Sequence, residues 1–290
     1  MALRVTDLRQ PLKWHGGKHY LARTILDLMP DHVHYVEPFF GGGSVLLQKS
    51  CDGVSEVVND VHLELTNFWR VLQNEMTFAE FISFVERIPF SQIEWERAKK
   101  RVERRVATWD ATFAGDPDRV DDEPPNVARA VDFFVVARQS RAGKMDSFAT
   151  MSRNRTRRSM NEQAASWIGA VEGLPAVAER LRRVVIFCKD AAKLIKSEDG
   201  PNTLFYLDPP YLHETRATIA DYDFEMSVAQ HERLLDVLLA CEGKILLSGY
   251  PSELYNRRLA DWRIVDVAID NKASSAKSKP RMIERIWMNY

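Results

Sequence analysis

The segment Leu204-Phe-Tyr-Leu-Asp-Pro-Pro-Tyr211 constrains this chain more than any other. It is an apolar strand that must stop at Asp208, because two prolines follow and a proline has no N–H to give to a sheet ladder. In open α/β sheets ligands bind beyond the carboxyl ends of strands, which is where these last four residues fall. By average residue usage the tetrapeptide Asp-Pro-Pro-Tyr has a chance on the order of 10⁻³ of arising somewhere in a chain of this size. A strand-ending proline turn with a buried tyrosine is the plain alternative, so the segment has to be read with the rest of the chain.

Short β-branched runs alternate with helical patterns toward both ends, the signature of βαβ units and a largely parallel sheet. The runs predict seven strands, at 34–38, 54–59, 184–188, 203–207, 244–248, 263–269 and 283–288. Between the second and third, roughly Glu75 to Leu181, amphipathic periodicity predicts helices over 77–88, 91–113, 126–139 and 161–171. The expected organisation is an α/β domain made from 1–74 and 182–290 with a helical domain inserted at 75–181. The acidic, Pro- and Gly-containing stretch 115–125 reads as a loop that would repel a phosphate backbone, and 271–282, with Lys272, Lys277, Lys279 and Arg281, as a basic hairpin loop.

The 290 residues suffice for a substantial core without staples, and the three cysteines, an odd number lacking C-x-x-C spacing, argue against a disulfide framework or a structural zinc site. With no apolar run of about 18 residues and no apolar segment behind Met1, a soluble, cytoplasmic protein is expected. The formal net charge of −1 conceals a local field: from Val136 to Met160 seven basic residues face one acid, Asp146, for a net +6. These seven, Arg138, Arg141, Lys144, Arg153, Arg155, Arg157 and Arg158, suit a polyanion, with a solvated basic loop as the alternative. A second basic cluster at 97–105 is interleaved with Glu94, Glu96 and Glu103 at helical spacing and reads as a solvated helix face.

Three further segments accompany the first. Tyr35-Val-Glu-Pro-Phe-Phe-Gly-Gly-Gly-Ser-Val-Leu-Leu47 is a strand, a glycine loop and the start of a helix, and glycines let a backbone approach a cofactor closely. It has neither G-x-G-x-x-G spacing nor a P-loop ending, so alone it is equally a strand-to-helix turn. Asp60 ends the second strand, where Rossmann-like folds bind ribose hydroxyls; an N-cap for a helix from Val61 is the alternative, and the two roles are compatible. Pro11-Leu-Lys-Trp-His-Gly-Gly-Lys18 is a glycine turn into a helix predicted from His19 to Met29.

An acid, a rigid carbonyl and an aromatic face in succession answer the problem posed by the amine of adenine, whose lone pair is conjugated into the ring. Acceptors on both amine hydrogens, the Asp208 carboxylate and the Pro209 carbonyl, draw the nitrogen toward tetrahedral geometry and free the lone pair. Tyr211 offers a flat face for an extruded base, a contact worth roughly 1–3 kcal/mol.

Taken together and in this order, the four segments resemble the Dam-like, D12 class of N6-adenine DNA methyltransferases, with K-W-x-G-G-K, E-P-F-x-G-x-G, an acid ending the second strand, a recognition insert and D-P-P-Y. The resemblance covers both ends of the chain well and the insert loosely. It implies a Rossmann-like methyltransferase sheet of seven strands, mixed, with a C-terminal antiparallel hairpin. It places Trp14, Lys18, Asp60 and Asp208 on S-adenosyl-L-methionine with the loop of Glu37, Phe39, Gly41 and Gly43 beneath it, and gives catalysis to Asp208, Pro209, Pro210 and Tyr211. Methyl transfer from a sulfonium needs no Lewis acid, so no metal is expected. Double-stranded DNA is the implied partner, with base flipping, for a monomer or weak dimer serving restriction-modification or acting as a phage or orphan methylase. Where GATC-reading relatives carry R-x-N-x-x-G-x-F-N-x-P, this chain keeps Arg138 and Gly143 but departs at Ser140, Met145, Asp146 and Phe148. Methylation of cytosine N4 or of another amide or amine, for which related enzymes usually carry Ser or Asn at the Asp208 position, and a DNA-binding relative without catalysis are the competing readings.

Overall fold

The computed structural model describes residues 8–14, 16–113, 123–149, 154–212, 226–270 and 281–290. In chain order the elements are α1 (Ala22–Leu28), β1 (His34–Glu37), β2 (Ser55–Asn59), α2 (Leu63–Gln73), α3 (Glu75–Val85), α4 (Gln92–Phe113), α5 (Val127–Gln139), β3 (Thr156–Arg157), β4 (Met160–Asn161), α6 (Glu162–Leu181), β5 (Val184–Phe187), α7 (Ala191–Glu198), β6 (Thr203–Leu207), α8 (Val228–Leu239), β7 (Lys244–Gly249), α9 (Glu253–Arg258), β8 (Arg263–Asp270) and β9 (Arg281–Met288). Seven strands form one mixed sheet in the order β5-β2-β1-β6-β7-β9-β8, a Rossmann-like arrangement, and β3 and β4 form a separate two-stranded ribbon. All seven sheet strands lie where the β-branched runs predict them. No helix among the described residues is long and apolar enough to cross a membrane.

The chain divides into two compact units. One comprises Met29–Phe39, Gly53–Asn59 and Asp190–Tyr290 and holds most of the sheet. There β1 runs parallel to both β2 and β6, with Val36 opposite Val57 on one side and Phe205 on the other. Next, β6 runs parallel to β7, while β9 is antiparallel to both β7 and β8. The apolar, fully buried run of β6 follows from this central position, since a strand covered on both faces has no use for alternation. The chain leaves β1 toward β2 and returns on the opposite side as β6, so the strand order reverses between β1 and β6. Their carboxyl ends form the crevice in which such sheets place ligands.

The second unit comprises Met1–Leu28, Phe40–Asp52 and Asp60–Lys189. Its core is aromatic: Phe68 of α2 stacks on Phe134 of α5 at 5.7 Å and 6°, with Trp69, Phe81, Phe133 and Trp167 around them. Burying each such ring stabilises the fold by roughly 1.5–3 kcal/mol. Beside it, Glu64 and Asp132 bind arginines, Glu64 Oε1 accepting from Arg105 and Arg129 at 3.1 Å each and Asp132 taking Arg101 in a two-pronged contact. The basic cluster of α4 is thus only partly a solvated face. Arg97 and Lys99 pair with Glu94 and Glu103 along the helix, whereas Arg101 and Arg105 turn to buried acids.

Some local expectations need correction: Arg281 and Met282, read as loop, already belong to β9, while 115–122 and 271–280 lie outside the described residues. The helix predicted to end at 171 runs to Leu181 through Pro175, because Leu174, Val177, Ala178 and Leu181 continue the buried stripe and packing outweighs the proline. The segment after Phe40 forms successive turns rather than an assigned helix, although Leu47 N still donates to Gly43 O at 3.2 Å.

Candidate active site

In the sheet-bearing unit β6 ends at Leu207 and delivers Asp208 to the crevice, and the two prolines carry the backbone away. Asp208 Oδ1 accepts from Ser248 Oγ at 3.1 Å and from the Tyr211 hydroxyl at 3.2 Å. Ser248 comes from β7, the neighbouring parallel strand, and its Oγ also meets the Tyr206 hydroxyl at 3.2 Å. Glu284 of β9, with no exposed surface, is hydrogen-bonded to the Tyr211 hydroxyl. Glu37, at the end of β1, is 2% exposed and accepts from the Tyr35 hydroxyl at 2.9 Å. These acids converge on Tyr206. Burial first, then the charge of Asp208, push its phenol well above the ordinary range; the Ser248 hydrogen bond opposes them, and Glu37 adds a smaller share.

Tyr211 and Ser248, the two partners of Asp208, line a pocket with Pro209, Pro210, Gly249 and Tyr250 among others. The Tyr211 and Tyr250 rings lie 4.5 Å apart at 59°. Behind the Glu-Pro-Phe turn, Asn59 Nδ2 donates to Pro38 O at 3.0 Å and fixes the backbone that leads to the half-buried Phe39. Ser248, Glu284, Tyr250 and Asn59 are site residues that sequence reasoning missed. The available signals were a serine and an acid inside otherwise apolar strands.

In the helical unit Trp14, Lys18, Gly41, Gly43 and Asp60 are organised around the glycine loop. The Asp60 carboxylate accepts from Gly41 N and His62 N, both at 2.9 Å, and Gly41 O accepts from Trp69 Nε1 at 3.1 Å. The α2 N-cap is His62, whose ring accepts from Leu65 N, so Asp60 supports the helix start without being its cap. Burial raises the Asp60 carboxyl above its usual range, opposed by the His62 and Gly41 amides and the nearby His62 ring. The Trp14 indole lies on the loop so closely that a Cβ on Gly41 would come within 2.8 Å of Nε1, and one on Gly42 within 2.8 Å of Trp14 Cβ. Gly43 closes the turn onto Phe40 O at 3.0 Å, and the buried Lys18 donates to Gly16 O at 3.0 Å.

The basic segment divides by environment. Arg141, Lys144, Arg155 and Arg157 are exposed. Arg158 pairs with Glu172 at 2.7 Å, and Arg153 lies outside the described residues. Arg138 is turned inward: Nη2 donates to Ser166 O and Oγ at 2.9 and 3.1 Å, Nε finds no hydrogen-bond partner among the described residues, and burial pulls its pKa down to about 10. Burial, and secondarily the charge of Arg138, lower Lys13 to about 8. Ser140 is fully buried and accepts from Trp95 Nε1 at 2.8 Å, and Phe148 packs on Phe90 at 4.9 Å. Gly143 has a φ of +74°, and a Cβ there would lie 2.5 Å from Lys13 O.

A carboxylate oriented by two hydroxyls beside a rigid carbonyl and an aromatic pocket is equipped to accept hydrogens from a planar amine, and the family match agrees with that chemistry. Residues 14–271 match the model of the D12 class of N6 adenine-specific DNA methyltransferases, and the chain belongs to that family. It is a DNA adenine methyltransferase by family. Among curated relatives, the type II methyltransferase M1.LlaDCHI of Lactococcus lactis subsp. cremoris is 26% identical over 294 residues, spanning 98% of this chain and 96% of its own. The type II methyltransferase M.MjaIII of Methanocaldococcus jannaschii is 24% identical over 310 residues, 98% of this chain and all of its own. The DNA adenine methylase of Vibrio cholerae is 39% identical, but over 64 residues, 22% of either chain.

Proposed function

We propose that this chain transfers the methyl group of S-adenosyl-L-methionine to N6 of an adenine extruded from double-stranded DNA. The observation that carries the reading is the Asp208 carboxylate at the carboxyl end of β6, its Oδ1 held by Ser248 and Tyr211, two residues that also line a pocket with Pro209 and Tyr250. Asp208 accepts one amine hydrogen and the Pro209 carbonyl, fixed by the Pro-Pro backbone, accepts the other, and both meet charge as it develops on the nitrogen. Pro210 keeps that backbone rigid, and Tyr211 supplies the stacking face.

The donor supplies an electrophilic methyl on a sulfonium, which needs no metal. The residues assigned to it fit it chemically: a carboxylate offers about four acceptor sites, so Asp60 retains capacity for ribose hydroxyls beyond its two amides, and the flat Trp14 indole lies on the glycine loop. Lys18, Glu37, Phe39, Gly41, Gly43 and Asp208 complete the assignment. Residues 1–74 and 182–290 then form the catalytic domain and 75–181 the target-recognition domain. The exposed Arg141, Lys144, Arg155 and Arg157 position the duplex through phosphates, with Arg138, Arg153 and Arg158 in the same basic segment. The enzyme so proposed is cytoplasmic and acts as a monomer or weak dimer.

The test is nucleoside mass spectrometry of DNA incubated with the protein and donor. N6-methyladenine is expected, lost in Asp208→Ala while DNA binding persists. N4-methylcytosine alone, or normal turnover by that variant, would overturn the reading.

A further inference from the structure

The Tyr211 hydroxyl lies between two carboxyl groups, Asp208 Oδ1 at 3.2 Å and Glu284 Oε1. A phenol carries one proton, so both contacts are hydrogen bonds only if a second proton is present. On the other flank Tyr206, whose fully buried phenol keeps its proton, donates to Ser248 Oγ at 3.2 Å, and the Ser248 proton has Asp208 Oδ1 at 3.1 Å as its nearer acceptor, ahead of Leu207 O at 3.3 Å. Asp208 therefore accepts on that side. Of the two acids touching Tyr211, Glu284 has no exposed surface, and burial penalises the charged form.

We propose that Glu284 is a positioning residue that holds a proton and donates it to the Tyr211 oxygen, so that Tyr211 in turn donates to Asp208 and the carboxylate is locked as an acceptor. This rests on the assignment of Asp208 and Tyr211 to catalysis. Glu284 touches no reacting atom; it acts through Tyr211, fixing the ring plane offered to the base as well as the direction of the hydrogen bond. Among the described residues the other ionisable groups of the cluster are Tyr206 on β6 and Tyr35 and Glu37 on β1, while Asp266 and Arg285 pair with each other across β8 and β9.

The experiment measures kcat, and KM for donor and DNA, on the full chain carrying Glu284→Met, Glu284→Gln, Tyr211→Phe and the Tyr211→Phe/Glu284→Met double substitution. Methionine fills the space without a donor, and kcat should fall about 10- to 100-fold with both KM values nearly unchanged, as for a misplaced reacting group. Glutamine keeps an N–H where the acid has its O–H, and kcat should fall less than about threefold. Tyr211→Phe breaks the same connection while leaving the buried acid in place, and the double variant should be no slower than it, because both remove one linked interaction. Normal kcat in Glu284→Met, a glutamine variant as slow as the methionine one, or multiplying losses in the double variant would each overturn the proposal. An active Asp208→Ala would instead remove the assignment beneath it. Should Glu284→Met fail to fold, as its melting curve would reveal, Tyr211→Phe and Glu284→Gln decide: equal losses in both refute the protonated acid.

Discussion

Replacing Gly41 by alanine probes the packing of the glycine loop against Trp14. Gly41 has a φ of +50°, a left-handed conformation that costs a side-chain-bearing residue roughly 1–2 kcal/mol. The new Cβ would stand 2.8 Å from Trp14 Nε1 and 3.2 Å from Cδ1, so something must move. The loop itself is pinned, its Gly41 N on Asp60 and its Gly41 O on Trp69, so the indole yields, loosening its packing on His62 and Phe133. Overpacking of this kind typically adds about 1–3 kcal/mol, for a total near 2–5 kcal/mol. If Trp14 lies on the donor, at least about tenfold of affinity goes with the first 1.4 kcal/mol. Urea unfolding and calorimetric titration with S-adenosyl-L-methionine measure both quantities. Gly53→Ala is the control, since Gly53 has a φ of +70° but nothing within 4 Å of a built Cβ, and should lose only the 1–2 kcal/mol of strain. A Gly41→Ala protein that unfolds with Gly53→Ala and binds donor normally would refute the reasoning.

Asp132→Ala takes a shared acid from Arg101, which is half exposed, and Arg105, which keeps Glu64, and should destabilise the fold by about 1.5–3 kcal/mol in urea, a cost that disappears if the pair is mere surface charge. Lys13 titrates near 8 in the fold against 10.5 ordinarily, so unfolding takes up a proton between those values and stability rises with pH across that window. Unfolding at pH 8 and pH 10 should show this rise in the parent and a flatter response in Lys13→Met; equal slopes count against the burial. Neutralising Arg155 and Arg157 should flatten the salt dependence of DNA binding by roughly 0.9 in log-log slope for each phosphate whose charge they no longer balance, and an unchanged slope removes them from the interface.

The strands were legible because each is a short β-branched run closed by turn residues, and Asp208 was legible because no central strand can continue through Pro209 and Pro210. The α6 boundary was not, since Gly173 and Pro175 carry local stop signals that only the tertiary burial of Leu174, Val177 and Leu181 overrides. Nor was the β3–β4 ribbon: its turn places Arg158 and Ser159 at φ values of 52° and 58°, a conformation normally signalled by Asn or Gly. The inward turn of Arg138 was equally hidden, because a count of charges cannot tell a guanidinium facing solvent from one bound to Ser166. Ser248 and Glu284 reach Tyr211 or Asp208 only through strand pairings that join residues far apart in sequence.

The approach of Gly143 to the Lys13 carbonyl has a bearing on which changes the basic segment can accept. Its inner edge has no room even for a methyl group, whereas Arg141 and Lys144 on either side are exposed to solvent. Under the proposed function, changes at the projecting groups alter the grip on the duplex and spare the path of the main chain, so swapped side chains at 141 and 144 would be tolerated more readily than any insertion at 143.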